Sequence, residues 1–206
     1  MISSSSHADH MSALVLDSSV LINLLATKHF RPILNALSVP LIVTTNVLRE
    51  IELGATDGRS EFGLLEDLIS DKILRVEELK KAALEDFFRL VSGRTSESLG
   101  DGEASTLAFA QHNDIMAAID EKKATRFAAE RFPTLKLLTT VDILASTSVH
   151  KAISKSSLAE ATLDALRYAR MQVREHQFDW VVKLVGQENV NKCPSLKRHA
   201  KRSFLI

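Results

Sequence analysis

Residues 13–27 read ALVLDSSVLINLLAT. Four apolar residues, Ala13 to Leu16, run without interruption and stop at Asp17. A short, wholly apolar run suits a strand buried on both faces, as in a parallel sheet; a half-exposed strand would alternate. Ser18 and Ser19 are of the types that cap helices, and VLINLLAT continues as a helix. A buried strand that passes directly into a helix is the repeating unit of α/β folds.

The same unit recurs along the chain. FRPILNAL is a helical piece that ends before Pro40, and LIVT (Leu41 to Thr44) is the next strand. Thr45 or Asn46 caps a helix through VLREIELG, which Gly54 stops. Over residues 55–98, EFGLLEDLI and LKKAALEDFFRLV carry apolar residues at helical spacing, with ILRV as a short strand between them. Then come a helix in EASTLAFAQHN, a strand in DIMAAI and a helix in EKKATRFAAERF that ends at Pro133. A strand in LKLLTT and a helix in VDILASTSVHK follow. This order predicts an α/β protein: a mainly parallel central sheet with helices on both faces. Beyond about residue 151 the pattern changes to helices alone, in SSLAEATLDALRYARMQ and FDWVVKLVG. The last stretch, NKCPSLKRHAKRSFLI, carries Lys192, Lys197, Arg198, Lys201 and Arg202 without an acid. The expected division is a disordered leader over 1–11, an α/β domain over 12–150 and a helical extension with a basic tail over 151–206.

Composition narrows the class of function. Lys+Arg and Asp+Glu both number 26, so only a local patch can argue for a nucleic-acid partner. The single cysteine, Cys193, excludes an internal disulfide and a cysteine-based zinc cluster, and fits a reducing, cytoplasmic setting. The start, MISSSSHADHMSA, lacks the basic and apolar regions of a signal peptide. No apolar run approaches the roughly 18 residues of a membrane span.

In open parallel sheets, sites form beyond the carboxyl ends of strands. Asp17 follows ALVL, and Asp120, with Glu121 next, follows DIMAAI. Glu50 lies about one and a half turns into the helix after LIVT. Asp101 and Glu103 open the helix that leads into the Asp120 strand, within Leu99–Ala110, LGDGEASTLAFA. Each acid has a bland reading. Asp17 and Asp101 are natural N-caps, Glu103 in a first turn complements the helix dipole, and Glu50 suits a solvated face. Together they are harder to dismiss. Like charges gathered in one pocket oppose folding unless a cation neutralises them. Ligands that are all oxygen suit Mg²⁺ or Mn²⁺ rather than zinc. Such ions can activate water for in-line attack on a phosphodiester, singly or as a pair about 4 Å apart.

At this point Asp17-Ser18-Ser19, Glu50 in VLREIE, LGDGEASTLAFA and IDEKKATRFA together resemble the PIN domain. The resemblance covers roughly residues 13–150. It lies closest to a branch in which a D-x-G-E-A segment opens the third acidic helix. It implies a three-layer α/β/α sandwich and Mg²⁺- or Mn²⁺-dependent endonucleolytic cleavage of RNA, most readily single-stranded. It also implies the toxin of a toxin–antitoxin pair as one role, with an antitoxin protein and a homodimer as expected partners. Carried over by residue, Asp17 matches the first metal-binding Asp, Glu50 the helical second acid, Asp101 or Glu103 the third acid and Asp120 the fourth; Asp17, Asp101, Glu103 and Asp120 are the implied metal ligands. Ser19 is the small polar residue that orients the first acid or a water. Arg126 matches an often-basic position and can steer a phosphate backbone, as can Lys122 and Lys123. Two departures stand out: Glu121 where many relatives have Asp, and TTVD before the last helix, which makes Asp142 a further acid behind the pocket.

The competing reading is a PIN-like module that binds RNA or protein without cutting. A haloacid-dehalogenase-like phosphatase wants a second Asp where this chain has Ser19, and no G-x-x-x-x-G-K loop marks an NTPase. His112 and His150 suit caps or surface, because metal-assisted hydrolysis needs no histidine base. Phe178 and Trp180 suit packing better than base stacking. The basic tail suits either a solvated, flexible end or contact with nucleic acid or an acidic partner.

Overall fold

A computed structural model describes residues 13–56, 61–94 and 98–203. The expected leader, residues 1–11, lies outside the described residues. The chain begins with β1 (Leu14–Leu16), α1 (Ser18–Leu25), α2 (Phe30–Ala36), β2 (Leu41–Thr44) and α3 (Thr45–Thr56). There follow α4 (Glu61–Ser70), β3 (Leu74–Glu77), α5 (Lys81–Val91), α6 (Asp101–Asn113) and β4 (Met116–Ala118). Then come α7 (Lys122–Arg131), β5 (Leu137–Leu138), α8 (Thr140–Ala145) and α9 (Thr147–Ala152). The chain closes with α10 (Lys155–Tyr168), α11 (Phe178–Val185) and α12 (Pro194–Ser203).

The five strands form one parallel sheet in the order β3-β2-β1-β4-β5. Strand alternation divides the core between its faces. Leu14 and Leu16 of β1 join one cluster, with Val20, Leu24, Val47 and Leu65. Val15 between them joins the other, with Phe87, Leu107, Ile119 and Phe127. The result is an α/β/α sandwich with α5, α6 and α7 on one face. The C-terminal helices lie on the other: Leu158, Ala165, Leu166, Val181 and Leu196 share a cluster with Leu14. Helix α6 is buried along most of its length, with Gly102 and Ala104 to Ala110 all enclosed. Its small residues let it lie close against the sheet, and a helix enclosed on all sides shows little amphipathic pattern.

Four local expectations change. Asp17, not Ser18 or Ser19, caps α1, its carboxylate accepting from the Ser19 N–H. The strand read in LKLLTT shrinks to Leu137–Leu138, because the Thr139 hydroxyl caps α8 by accepting from the Asp142 N–H at 3.2 Å. The single helix read in VDILASTSVHK breaks into α8 and α9 at Ser146, whose extended backbone and hydroxyl cap α9. The basic tail is helical, with Cys193, Ser195 and Leu196 buried beneath it. Among the described residues no helix is long and apolar enough to cross a membrane.

Candidate metal centre

From β1 the chain moves outward through β2 and β3, then returns to the far side of β1 as β4. The carboxyl ends of β1 and β4 therefore flank the topological switch point, where open α/β sheets form their crevice. Register brings the two acids that follow these strands together. Leu16 pairs with Ala118, and the Asp17 N–H extends the ladder to the Ala118 carbonyl at 3.1 Å. Asp17 and Asp120 are 1% and 2% exposed, and both line a cavity of about 690 Å³. Glu50, Glu103 and Glu121 line it too.

The two oxygens of Asp17 differ. Oδ2 accepts from the Ser19 hydroxyl at 2.6 Å and the Ser19 N–H at 3.2 Å. Oδ1 is buried without a hydrogen-bond partner. Burial, helped by the Glu50 charge, pushes the Asp17 carboxyl up to about 6 against the bonds from Ser19. Glu103, in the first turn of α6, is pushed up to about 7, by burial first and then by Asp17, Glu121 and Glu50. Its Oε2 also accepts from the Gly100 N–H at 3.3 Å, so it serves the helix end as well. Glu50 reaches the same place from α3. A Cβ on Gly102 would overlap Glu50 Oε2 and stand 3.4 Å from Asp17 Oδ1. The bare backbone of Gly102 thus makes room for carboxylates from two other elements.

Asp120 is held differently. Its Oδ1 accepts from the Thr140 N–H at 2.8 Å, and its Oδ2 accepts from the Thr140 hydroxyl at 2.5 Å and Asn23 Nδ2 at 2.6 Å. Burial raises its pKa; Thr140, Asn23 and the Arg174 charge oppose the rise. Arg174 also donates to the Asp120 carbonyl at 3.1 Å and to Thr125 Oγ1 at 2.8 Å. Gln172 donates to Glu121 at 3.0 Å. The segment after α10 therefore forms one wall of the cavity, through Tyr168, Ala169, Arg170 and Gln172. Sequence reading missed Asn23, Gln172 and Arg174, and noted Glu121 without placing it in the site. Asn23 left a faint signal, a polar residue inside the apolar run VLINLL. Gln172 and Arg174 left none, because their partners are 51 and 54 residues away.

Five candidate residues, Asp101, Lys122, Lys123, Arg126 and Asp142, lie outside the cavity lining. Asp101 is exposed at the first position of α6. Residues two apart on a helix face nearly opposite ways, so a helix that aims Glu103 inward aims Asp101 outward. Arg126 is exposed, 3.8 Å from Glu130 and stacked over Phe127. Lys123 instead donates its ammonium to the Ser98 carbonyl. Asp142 is consumed by structure: Oδ2 accepts from the Thr139 N–H and hydroxyl, each at 2.8 Å, and Oδ1 accepts from Gln177 at 2.9 Å. Phe178 and Trp180 pack against the core.

A family model described as PIN domain matches residues 13–187. The chain belongs to the PIN-domain family. The match runs well past residue 150 and takes in the wall formed by Tyr168 to Gln172. No curated protein and no solved structure matches the chain. PIN domains are typically metal-dependent nucleases that use Mg²⁺ or Mn²⁺. In this PIN domain Asp101, Gly102, Glu103 and Ala104 follow one another directly, without the spacer of a D-x-G-E-A segment.

The donor set fits a hard divalent cation. It is all carboxylate, and one buried oxygen, Asp17 Oδ1, has no protein donor to satisfy it. Among the described residues no three acidic, His or Cys side chains stand close enough to form a closed ligand shell. Mg²⁺ dehydrates reluctantly and takes only one or two carboxylates beside its waters, so a partial shell suits it.

Proposed function

We propose that this PIN domain is a Mg²⁺- or Mn²⁺-dependent endoribonuclease that hydrolyses phosphodiesters of single-stranded RNA in the cytoplasm. The observation that carries this reading is the buried, unpaired Asp17 Oδ1, which shares one cavity with Glu50 and Glu103 at the switch point of the sheet. When bound, the cation would supply Lewis acidity, neutralising phosphate charge and lowering the pKa of water so that hydroxide is available to attack phosphorus. Asp17 is the proposed first ligand, completed by one carboxylate of the Glu50 and Glu103 pair, with Asp120 beside them. Ser19 holds Asp17 through Oδ2 and leaves Oδ1 unpaired beside Gly102. Asn23 and Thr140 hold the Asp120 carboxyl in place and oppose the rise in its pKa that burial causes. Asp101 and Arg126 drop out of the proposed machinery because they lie outside the cavity.

A toxin role, with an antitoxin partner and a homodimer, extends this proposal and rests on the family resemblance. It requires that induced expression arrest growth and that Asp17→Asn relieve the arrest. A PIN module that binds RNA or protein without cutting is the second reading, favoured by the raised pKa values of Asp17 and Glu103, which let protons rather than a cation neutralise the pocket.

The deciding experiment incubates the full chain with mixed-sequence single-stranded RNA in Mn²⁺. Internal cleavage that both EDTA and Asp17→Asn abolish supports the nuclease. RNA binding without turnover, in a protein that Mn²⁺ stabilises against heat, supports the non-cutting module.

A further inference from the structure

We propose that Tyr168 and Arg170 form a nucleotide-binding wall of the acidic cavity, Tyr168 stacking on a base and Arg170 holding a phosphate of single-stranded RNA. The identity of the ligand rests on the nuclease reading above; the wall itself rests on the geometry of the segment after α10.

Tyr168 is 69% exposed although it lines the cavity. The other exposed large hydrophobic side chains among the described residues, Leu53, Leu84 and Phe88, are less exposed and do not line it. Lys28 Nζ lies 5.6 Å from the centre of the Tyr168 ring and is itself held by Asp164 at 3.1 Å. A ring has two faces, and a cation on one leaves the other for a base. Stacking of this kind is tolerant of sequence, because every base has a π-face.

Arg170 supplies what the cavity otherwise lacks. Five carboxylates line it, and Arg170 is the one Lys or Arg among its described lining residues. A polyanion must meet positive charge on approach, and a guanidinium can hold a phosphate through two parallel bonds. The backbone presents this side chain deliberately. Met171 and Val173 are buried, and Ser195 Oγ donates to the Met171 carbonyl at 2.6 Å. Anchoring these two residues inward turns Arg170 and Gln172 to the cavity. Arg170 also has φ of 56°, a left-handed position that glycine takes after helices without strain. Arg170→Gly therefore removes the guanidinium while relaxing the backbone.

The test measures binding of the full chain to a short single-stranded RNA carrying 2-aminopurine. Ca²⁺ replaces Mn²⁺, as a hard cation that carboxylates hold in looser geometry. Wild type and Tyr168→Phe should quench the fluorophore, whereas Tyr168→Ala should lose the quenching and bind about tenfold more weakly. Arg170→Gly should keep the quenching, melt no lower than wild type and lower the salt slope by about 0.7, the contribution of one phosphate on a single strand. Quenching and affinity of Tyr168→Ala within twofold of wild type, or no binding by wild type, overturn the wall. So does an unchanged salt slope in Arg170→Gly. Cleavage in Mn²⁺ is scored separately. Binding through Tyr168 and Arg170 without cleavage retires the nuclease and keeps the wall. Cleavage with wild-type KM in both variants does the reverse.

Discussion

Asp17 divides its two oxygens between two tasks. Oδ2 caps α1 and takes the Ser19 hydroxyl, while Oδ1 is buried and unpaired beside Gly102, where Glu50 also reaches. Asparagine also caps helices, so Asp17→Asn keeps the first task and loses the second. Cleavage should fall by at least about 100-fold, since loss of residues that merely support metal ligands already costs 10- to 100-fold. The melting temperature without metal should hold or rise, because a buried charge is gone. Asp120→Asn should behave differently. Both Asp120 oxygens accept from protein donors, and an amide would turn N–H groups toward Thr140 or Asn23. An unsatisfied pair costs about 1–3 kcal/mol. Asp120→Asn should therefore lose both activity and urea resistance, and equal stability of the two variants would dissolve this distinction. Gly102→Ala tests Glu50. The obstacle to a Cβ there is the end of a flexible carboxylate side chain, so Glu50 moves and the fold survives. Calorimetric Mn²⁺ titration should show affinity weakened by about tenfold. Unchanged affinity would remove Glu50 from the site.

At the scale of elements, α6 and the C-terminal helices shape the site. Helix α6 lies close to the sheet because small residues such as Ala104, Ser105 and Ala108 face its neighbours. The Ser105 and Thr44 hydroxyls bond at 2.7 Å and tie α6 to the end of β2. That closeness is what brings Glu103 to Asp17. Helices α10 to α12 cover the opposite face, and their buried residues belong to the same cluster as Leu14 and Leu16 of β1. Leu166→Ala should destabilise the whole sandwich, by about 2–5 kcal/mol in urea unfolding, rather than loosen a separate extension. A single cooperative transition shifted to lower urea is the expected trace. A small early transition with the main one unchanged would mean that the extension folds on its own.

For the whole molecule, the crowded carboxylates set the response to pH and metal. Asp17 rises from 3.8 to about 6 and Glu103 from 4.5 to about 7 on folding. Between these values the folded chain holds protons that the unfolded chain has released, so stability falls as pH rises. For buried Asp17 the loss amounts to about 3 kcal/mol by neutral pH. Without metal, the melting temperature should decline from pH 4 to 7 on account of these groups, and Asp17→Asn should flatten the decline. Mn²⁺ competes with the protons, so the melting shift it causes should grow over the same range. A shift independent of pH would mean that Mn²⁺ binds elsewhere. Much of this was legible in the chain. ALVL, LIVT and DIMAAI announced buried parallel strands through local apolar runs, and Asp17 and Asp120 followed two of them. The acids as a set were legible because strand ends in such sheets converge by rule. Their sorting was not. Asp101 and Glu103 are equivalent in the sequence and part only when α6 docks in one rotation. The grip of Asn23 on Asp120 spans 97 residues, and that of Arg174 spans 54. Local composition therefore determined the strands, the helices and a supply of carboxylates at the strand ends. Tertiary structure decided which carboxylates share a cavity, what holds them and what wall faces them, because those outcomes depend on the docking of segments distant in the chain.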